Sequence, residues 1–232
     1  MPGPPVNAAA PGFFGKVTTH GDFVTRALPP ELVQAWDEWM QHALQASRQQ
    51  LGADWLTLYL TSPIWRFAIG EGVLTAQAWA GVMMPSVDWV GRHFPLMIAA
   101  PVVKGTAFTA LVTRAVDWYD ALEEQARDTL VPEFVLEQLA STLAGLASMP
   151  ATPGVHCTPG QAGWRLACGA RDALPPALAD VLLQGHSLWW SDAAPGVQNS
   201  MLACAGMPGA PAFAAMLDGR WQDHGWGVAR PA

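Results

Sequence analysis

The stretch "AQAWAGVMMPSVDWVGRHFPLMIAAPVV", residues 76–103, decides the fold. It contains two nearly continuous apolar runs, residues 76–84 and 94–103, which have the length of strands and are separated by a polar segment. Strands that do not alternate between apolar and polar residues are typical of the centre of a sheet covered on both faces. The stretch therefore predicts two buried central strands joined by a polar turn.

Strand and helix patterns are mixed along the rest of the chain. Strand patterns occupy residues 12–17, 63–70, 163–169, 187–192 and 199–206, and helical patterns occupy 28–45, 174–185 and 209–219 and begin near Thr106 and Pro132. A Gly21-Asp22 turn signal follows the first strand. This mixture predicts an α/β fold with a central mixed sheet and helices on both faces. We expect residues 1–11 to be a disordered tail and residues 12–232 to form a single domain.

The composition excludes several classes of function. The chain has 232 residues, a net charge of −7 and only 12 Lys plus Arg, with no basic stripe to neutralise nucleic-acid phosphates. No apolar stretch reaches the roughly 18 residues of a membrane span. Cys157, Cys168 and Cys204 form no C-x-x-C pair, so neither a zinc site nor a disulfide framework is indicated. We expect a cytoplasmic protein without a metal or cofactor.

The polar segment between the central strands allows two interpretations. Ser86, Asp88, Arg92 and His93 fall within eight positions. A serine nucleophile needs a base in hydrogen-bond reach and a third group that orients the base, so Ser86, Asp88 and His93 could serve a small hydrolase or a nucleotide-binding enzyme. Without a G-x-S-x-G motif, however, the spacing is unspecific. A buried polar turn, in which Asp88 caps backbone N–H groups or pairs with Arg92, is the favoured interpretation.

Arg66 is predicted to have an ion-pair partner within the chain. Arg66 lies inside an aromatic strand, where an unpaired guanidinium is costly, and Asp22, Asp37 and Asp88 are its candidate partners.

The adjacent Trp189 and Trp190 cannot both point inward from one strand, because side chains alternate. If no helix covers the outer face, the outer indole is a candidate contact for a partner protein, since interface hot spots are enriched in Trp.

Five blocks in this order carry a family resemblance: "FFGKVTTHGDFVTRALP", "WDEWM", "YLTSPIWRFAIG", "WAGVMMPSVDWVGRHFPL" and "SLWWSD…MLACAGMP…FAAMLDGRW". The chain resembles the TagF family, also called ImpM, of type VI secretion-associated proteins. The positions that match its polar signature are Lys16, Asp22, Arg66, Ser86, Asp88 and Arg92. Thr18, Thr19 and His20 depart from the Pro-Ser-Arg usual in the family. The chain is similar to the stand-alone form, without the PppA-type phosphatase domain of some relatives.

The resemblance implies a regulator rather than an enzyme. It implies a three-layer α/β sandwich and a cytoplasmic accessory protein that represses assembly or firing of the type VI apparatus after translation. The expected partner is the forkhead-associated scaffold protein Fha, with other type VI components as further candidates. A small enzyme using Ser86, Asp88 and His93, and a structural subunit of the secretion baseplate, are the alternatives.

Overall fold

The computed structural model describes residues 10–154 and 174–227. Within these ranges, seven strands form one sheet in the order β2-β1-β5-β4-β3-β6-β7. The strands are β1 (Gly12–Gly15), β2 (Val24–Arg26), β3 (Trp65–Ile69), β4 (Trp79–Met84), β5 (Leu96–Pro101), β6 (His186–Ser191) and β7 (Ser200–Ala205). As predicted, β4 and β5 pair near the centre of the sheet and are almost completely buried.

The helices lie in two layers, one on each face of the sheet. They are α1 (Pro30–Leu51), α2 (Trp55–Thr61), α3 (Phe108–Arg114), α4 (Val116–Asp128), α5 (Leu136–Gly145), α6 (Leu174–Leu182) and α7 (Ala215–Asp218). One core cluster joins the sheet to α1, α2 and α7, and the other joins it to α3, α4 and α5. The α/β sandwich with helices on both faces is therefore confirmed.

Strand alternation divides the core between these two layers. Phe13 and Phe14 are neighbours in β1, yet Phe14 packs in the cluster beneath α1 and Phe13 in the cluster beneath α4. Trp65 and Phe67 of β3 face α1, whereas Ala68 faces the α4 layer. Each central strand thus contributes apolar side chains to both faces, which explains why its sequence shows no polar alternation.

The strand pairings differ from the mixed sheet that we predicted. Every pairing among the described strands is antiparallel. Short loops at 70–78 and 85–95 join β3, β4 and β5 in succession. A parallel pair would need a longer crossover connection, so short loops between sequential neighbours produce an antiparallel sheet.

The helix predictions need two corrections. Residues 55–61, which gave no clear pattern, form α2. The helix predicted from Thr106 is two helices that break at Ala115, and α4 follows the break with an apolar face of its own. The strand predicted at 163–169, with Cys157 and Cys168, lies outside the described residues, as does most of the predicted tail.

No helix in the described ranges is long and apolar enough to cross a membrane.

Candidate functional site

The polar segment between β4 and β5, residues 85–95, folds back on itself as a closed loop. Val87 and His93 form an isolated antiparallel bridge, and the Asp88 N–H donates to the Arg92 carbonyl at 3.0 Å. Gly91 has a φ of 87°, a left-handed conformation that a residue with a Cβ rarely adopts. The sequence therefore places glycine where the loop reverses direction.

Asp88 is the centre of this loop, and its side chain is fully buried. Its Oδ2 binds the Lys16 ammonium of the β1–β2 connection and accepts the Arg92 Nε–H at 2.7 Å. Its Oδ1 accepts the backbone N–H groups of Val90 at 3.1 Å and Arg92 at 2.8 Å. Burial alone raises the pKa of the Asp88 carboxyl, but Lys16 and the Arg92 groups outweigh it and hold the pKa well below its usual range.

Backbone hydrogen bonds complete the clamp around Asp88. The Gly91 N–H donates to the Asp88 carbonyl at 3.0 Å, and the Trp89 N–H donates to the His20 carbonyl at 3.2 Å. The Arg92 guanidinium also donates to the Gly21 carbonyl. All five backbone N–H groups from 88 to 92 therefore have acceptors, and the bonds to His20 and Gly21 add to the Lys16 contact that holds the loop to the β1–β2 connection.

Ser86 joins the loop to two other elements and is 1% exposed. Its Oγ donates to the Lys16 carbonyl at 2.7 Å. Its N–H donates to the Tyr59 Oη of α2 at 3.0 Å, and that hydroxyl donates to the Ser86 carbonyl at 2.8 Å. Burial raises the pKa of Tyr59 above its ordinary value, which keeps the phenol neutral in this double contact. We call Lys16, Tyr59, Ser86, Asp88 and Arg92 the loop cluster.

His93 does not complete a catalytic arrangement with Ser86 and Asp88. No hydrogen bond joins it to either residue within the described parts of the chain. Its ring instead packs edge-on against Trp55 and Tyr59, with centroids 5.6 and 5.7 Å apart. Burial, followed by the nearby Arg48 charge, lowers the pKa of His93.

Two of the signature residues lie outside the loop cluster. Asp22 is exposed, and its Oδ1 accepts the Phe23 N–H at 2.8 Å. Arg66 lies on the α4 side of the sheet, where its Nε donates to Glu123 at 2.6 Å and its Nη2 to Asp120 at 2.6 Å. We call Arg66, Asp120 and Glu123 the helix cluster.

The prediction that Arg66 pairs with Asp22, Asp37 or Asp88 is therefore wrong. Strand alternation turns Arg66 towards α4, a helix that the sequence analysis did not separate from α3. Burial lowers the pKa of Arg66 most strongly, but Glu123 and Asp120 together raise it above its ordinary value. The helix cluster therefore joins β3, near the centre of the sheet, to α4.

The tryptophan doublet lies on both faces of β6, and each indole has a helix beside it. Trp189 is fully buried among Trp36, Trp39 and Phe67 beneath α1, so it cannot be an exposed partner contact. Trp190 is half-buried and meets Tyr119 of α4 edge-on, with centroids 4.9 Å apart. The partner hypothesis required an indole on an uncovered face of the strand. Trp189 is buried, and Trp190 is half-buried against α4.

Neither cluster contributes a residue to either of two grooves in the described structure. The grooves, of about 770 and 470 Å³, lie at other places, and the larger is lined by the exposed charged residues Glu31, Glu71 and Lys104. Small-molecule sites usually combine a concave pocket with convergent polar groups. Within the described ranges, no group of His, Cys, Asp or Glu side chains is arranged to hold a metal ion.

The most exposed large apolar side chain in the described residues was not predicted from the sequence. Trp89, at the tip of the loop, is 72% exposed, and Val90 beside it is 61% exposed. A signal was present, because an apolar pair interrupts the polar segment between Asp88 and Gly91. Tyr59 and Glu123 were also missed, since their helices could not be aligned with the sheet from sequence alone.

Comparison with known proteins connects this chain to a type VI secretion-associated family. The model of the TagF N-terminal domain, type VI secretion system-associated, matches residues 12–146. The fold matches the crystal structure of PA0076 from Pseudomonas aeruginosa PAO1 with a TM-score of 0.86 and 35% sequence identity. That match covers 96% of this chain and 98% of the other. No curated protein matches the chain.

Proposed function

The chain belongs to the TagF family of type VI secretion system-associated proteins, and we propose that it is a non-enzymatic repressor of the type VI apparatus. It acts in the cytoplasm after translation and blocks assembly or firing of the apparatus. Its partner is the forkhead-associated scaffold protein Fha. The family resemblance in five sequence blocks supports this role, and the chemistry of the loop cluster supports the absence of catalysis.

The state of Ser86 is the observation that carries the non-enzymatic assignment. A serine nucleophile must reach a substrate and pass its proton to a base. Ser86 is 1% exposed, and its hydroxyl proton is committed to the Lys16 carbonyl at 2.7 Å. Asp88 is likewise committed, because Lys16, Arg92 and two backbone N–H groups surround its carboxylate.

The arrangement instead suits a residue set that maintains the shape of a surface. The loop cluster ties together the β1–β2 turn, α2 and the β4–β5 loop, three segments that are distant in sequence. A preformed surface favours binding, because ordering a flexible loop on association reduces affinity. A repressor that occupies a scaffold protein benefits from this property and needs no turnover.

A secretion assay and a binding assay together test the proposal. We expect the purified chain to bind the Fha homologue encoded in the same secretion cluster. Deletion of its gene should raise secretion of a type VI effector, whereas loss of a baseplate subunit would abolish secretion. A wild-type protein that neither binds Fha nor changes secretion when deleted contradicts the proposal.

A fluorophosphonate probe tests the absence of catalysis independently. Because the Ser86 hydroxyl is buried and lacks a base, we expect no labelling of the folded protein. Labelling that disappears in Ser86→Ala but persists in a control variant of an exposed serine, Ser141→Ala, would restore the hydrolase hypothesis.

A further inference from the structure

The tip of the β4–β5 loop exposes an apolar surface directly above the loop cluster. Trp89 is 72% exposed and Val90 is 61% exposed, and Phe23, in the facing β1–β2 turn, is 42% exposed. Contiguous exposed apolar side chains on a folded protein mark sites of interaction. Tryptophan is the residue most enriched at interface hot spots, because it buries a large area and keeps one polar N–H.

The tip keeps its conformation without a partner. The backbone N–H groups on either side of Trp89 donate to Asp88 and Arg92, and that of Trp89 itself donates to His20. The indole rests against Gly21, where an added Cβ would lie 2.3 Å from the Trp89 Nε1. An exposed indole in such a constrained loop loses little conformational entropy when a partner covers it.

The charges around the tip indicate the chemistry of the partner. Arg92 is half-exposed beside Trp89, and the exposed Arg48 lies 4.3 Å from the centroid of the Trp55 ring, close enough to His93 to lower its pKa. Arg48 forms no salt bridge within the described ranges, and the exposed Asp22 offsets only part of this positive charge. Lys16, Arg92 and Arg48 carry three positive charges against the two carboxylates of Asp88 and Asp22, so these groups have a net charge of +1, although the chain as a whole carries a net charge of −7.

A second copy of this chain does not fit the tip. Two copies meeting at the same surface would oppose two exposed indoles and two exposed Arg92 guanidinium groups. The net charge of −7 on each copy adds long-range repulsion. A different protein, with a concave apolar pocket and carboxylates at its rim, complements both the exposed indole and the charge.

We propose that Trp89 and Val90 form the hot spot by which this protein docks on its partner protein, into an apolar pocket rimmed by carboxylates. The inference rests on the proposed function only in naming Fha as the first partner to test. It replaces the Trp189–Trp190 doublet as the candidate contact, because both of those indoles pack against helices of the same chain.

Two matched alanine variants test the hot spot. Trp89→Ala removes the exposed indole, and Met201→Ala removes a 57% exposed side chain from the edge strand β7, away from the loop. We expect both variants to melt like the wild type. Trp89→Ala should weaken binding to the Fha homologue by about thirtyfold, whereas Met201→Ala should change it by less than about twofold.

The carboxylates proposed at the rim of the partner's pocket are tested by varying the salt concentration and by a charge variant of this protein. We expect the wild-type association rate to fall as ionic strength rises from about 50 to 300 mM, since salt screens exposed charges. Arg48→Gln should reduce this salt dependence and leave the dissociation rate nearly unchanged. An association rate that does not respond to salt would overturn the carboxylate rim.

Secretion in cells separates failure of this inference from failure of the proposed function. If the wild type binds Fha and Trp89→Ala binds equally well, the hot spot is overturned and the repressor role stands. If the wild type does not bind Fha, the choice of partner is wrong. The hot spot is then tested by whether Trp89→Ala represses secretion in a deletion strain. Trp89→Ala at wild-type abundance should then fail to repress, and normal repression by this variant would overturn the inference.

Discussion

The loop cluster and the helix cluster solve the same electrostatic problem with opposite charges at their centres. In the loop cluster, two cations and two backbone N–H groups surround the carboxylate of Asp88. In the helix cluster, the carboxylates of Asp120 and Glu123 flank the guanidinium of Arg66. The first organises the backbone of a loop, and the second joins a strand to a helix through side chains alone.

The two clusters differ less in burial than in what their central charge holds. The Asp88 side chain is fully buried and that of Arg66 is 11% exposed, and each has one partner that is more than half exposed, Arg92 at 58% and Asp120 at 57%. A buried charge that loses its partner is costly, because solvent cannot replace the lost interaction. The comparison teaches that the loop cluster is the less tolerant of the two, because Asp88 also binds two backbone N–H groups of its loop.

Asp88→Ala should have the largest effect on stability. The substitution leaves the buried Lys16 ammonium without its partner and removes the acceptor of two backbone N–H groups. Breaking a buried pair in this way costs about 3–5 kcal/mol, out of a total stability of about 5–15 kcal/mol. Chemical denaturation should show this loss, and the soluble yield should fall.

Asp22→Ala is the matched control, since Asp22 is an exposed carboxylate of the facing turn. Its stability should stay within about 0.5 kcal/mol of the wild type. If Asp88→Ala melts like Asp22→Ala but loses repression, Asp88 contacts a ligand or partner directly and the clamp interpretation is wrong.

The stability difference between wild type and Asp88→Asn should depend on pH in a defined direction. The pKa of Asp88 is lowered on folding, so its ionised form stabilises the protein above the unfolded-state pKa of about 3.9. This contribution is lost as the pH falls through the folded-state pKa. The difference should stay constant from about pH 7 to 5 and narrow below about pH 4.

Denaturant unfolding of both proteins across this range measures the difference directly. Asparagine keeps one acceptor for the N–H groups of Val90 and Arg92 but turns an amide donor towards Lys16 and Arg92. The pH dependence of the difference, rather than its size at pH 7, therefore reports the titration of Asp88. A difference that narrows near pH 6 would assign the effect to a histidine instead.

Glu123→Ala should cost less than Asp88→Ala. Arg66 loses its Nε–H acceptor but keeps Asp120, whose carboxylate is partly solvated. A hydrogen bond to a charged group contributes about 1.5–3 kcal/mol, and we expect a loss in that range. Repression should persist, because the helix cluster supports no exposed apolar tip. Equal losses in the two variants would show that the backbone contacts of Asp88 add nothing to its charge pairing.

The sequence predicted the layers of the fold because the central strands carry their own signal. Residues 76–84 and 94–103 are apolar throughout, and only a strand covered on both faces requires that pattern. The strand directions were not predictable from the same pattern, since parallel and antiparallel central strands bury the same side chains. The break at Ala115 was missed because apolar residues continue on both sides of it.

The candidate site was predicted in part. Ser86, Asp88 and Arg92 were predicted to share a polar turn because they are close in sequence. The structure places all three in one loop. The predicted buried polar turn included Arg92, but its side chain is 58% exposed, although its Nε–H still reaches the buried Asp88. Tyr59 and Glu123 depend on how distant helices pack against the sheet, which local spacing does not encode.

Ser86→Ala should have a small effect on stability. The variant loses the hydrogen bond to the Lys16 carbonyl, at about 1 kcal/mol. The contacts between Tyr59 and the Ser86 backbone remain, because they do not involve the side chain. Calorimetry and a secretion assay should give a slightly lower melting temperature with repression intact. Loss of repression in a folded Ser86→Ala protein would return catalysis as the leading hypothesis.

Gly21→Ala should have the smallest effect on stability and is the most specific test of the tip. A Cβ at this position would lie 2.3 Å from the Trp89 Nε1, so the indole must move, although it is the free end of a flexible side chain. The Gly21 carbonyl still accepts from Arg92, and the loop backbone keeps its other bonds. Stability should therefore change by less than about 0.5 kcal/mol. If the partner requires the indole in its present position, affinity should fall several-fold, by less than the roughly thirtyfold expected of a removed hot-spot residue. An unchanged affinity, with Trp89→Ala still impaired, would mean that the apolar surface matters and its fixed placement does not.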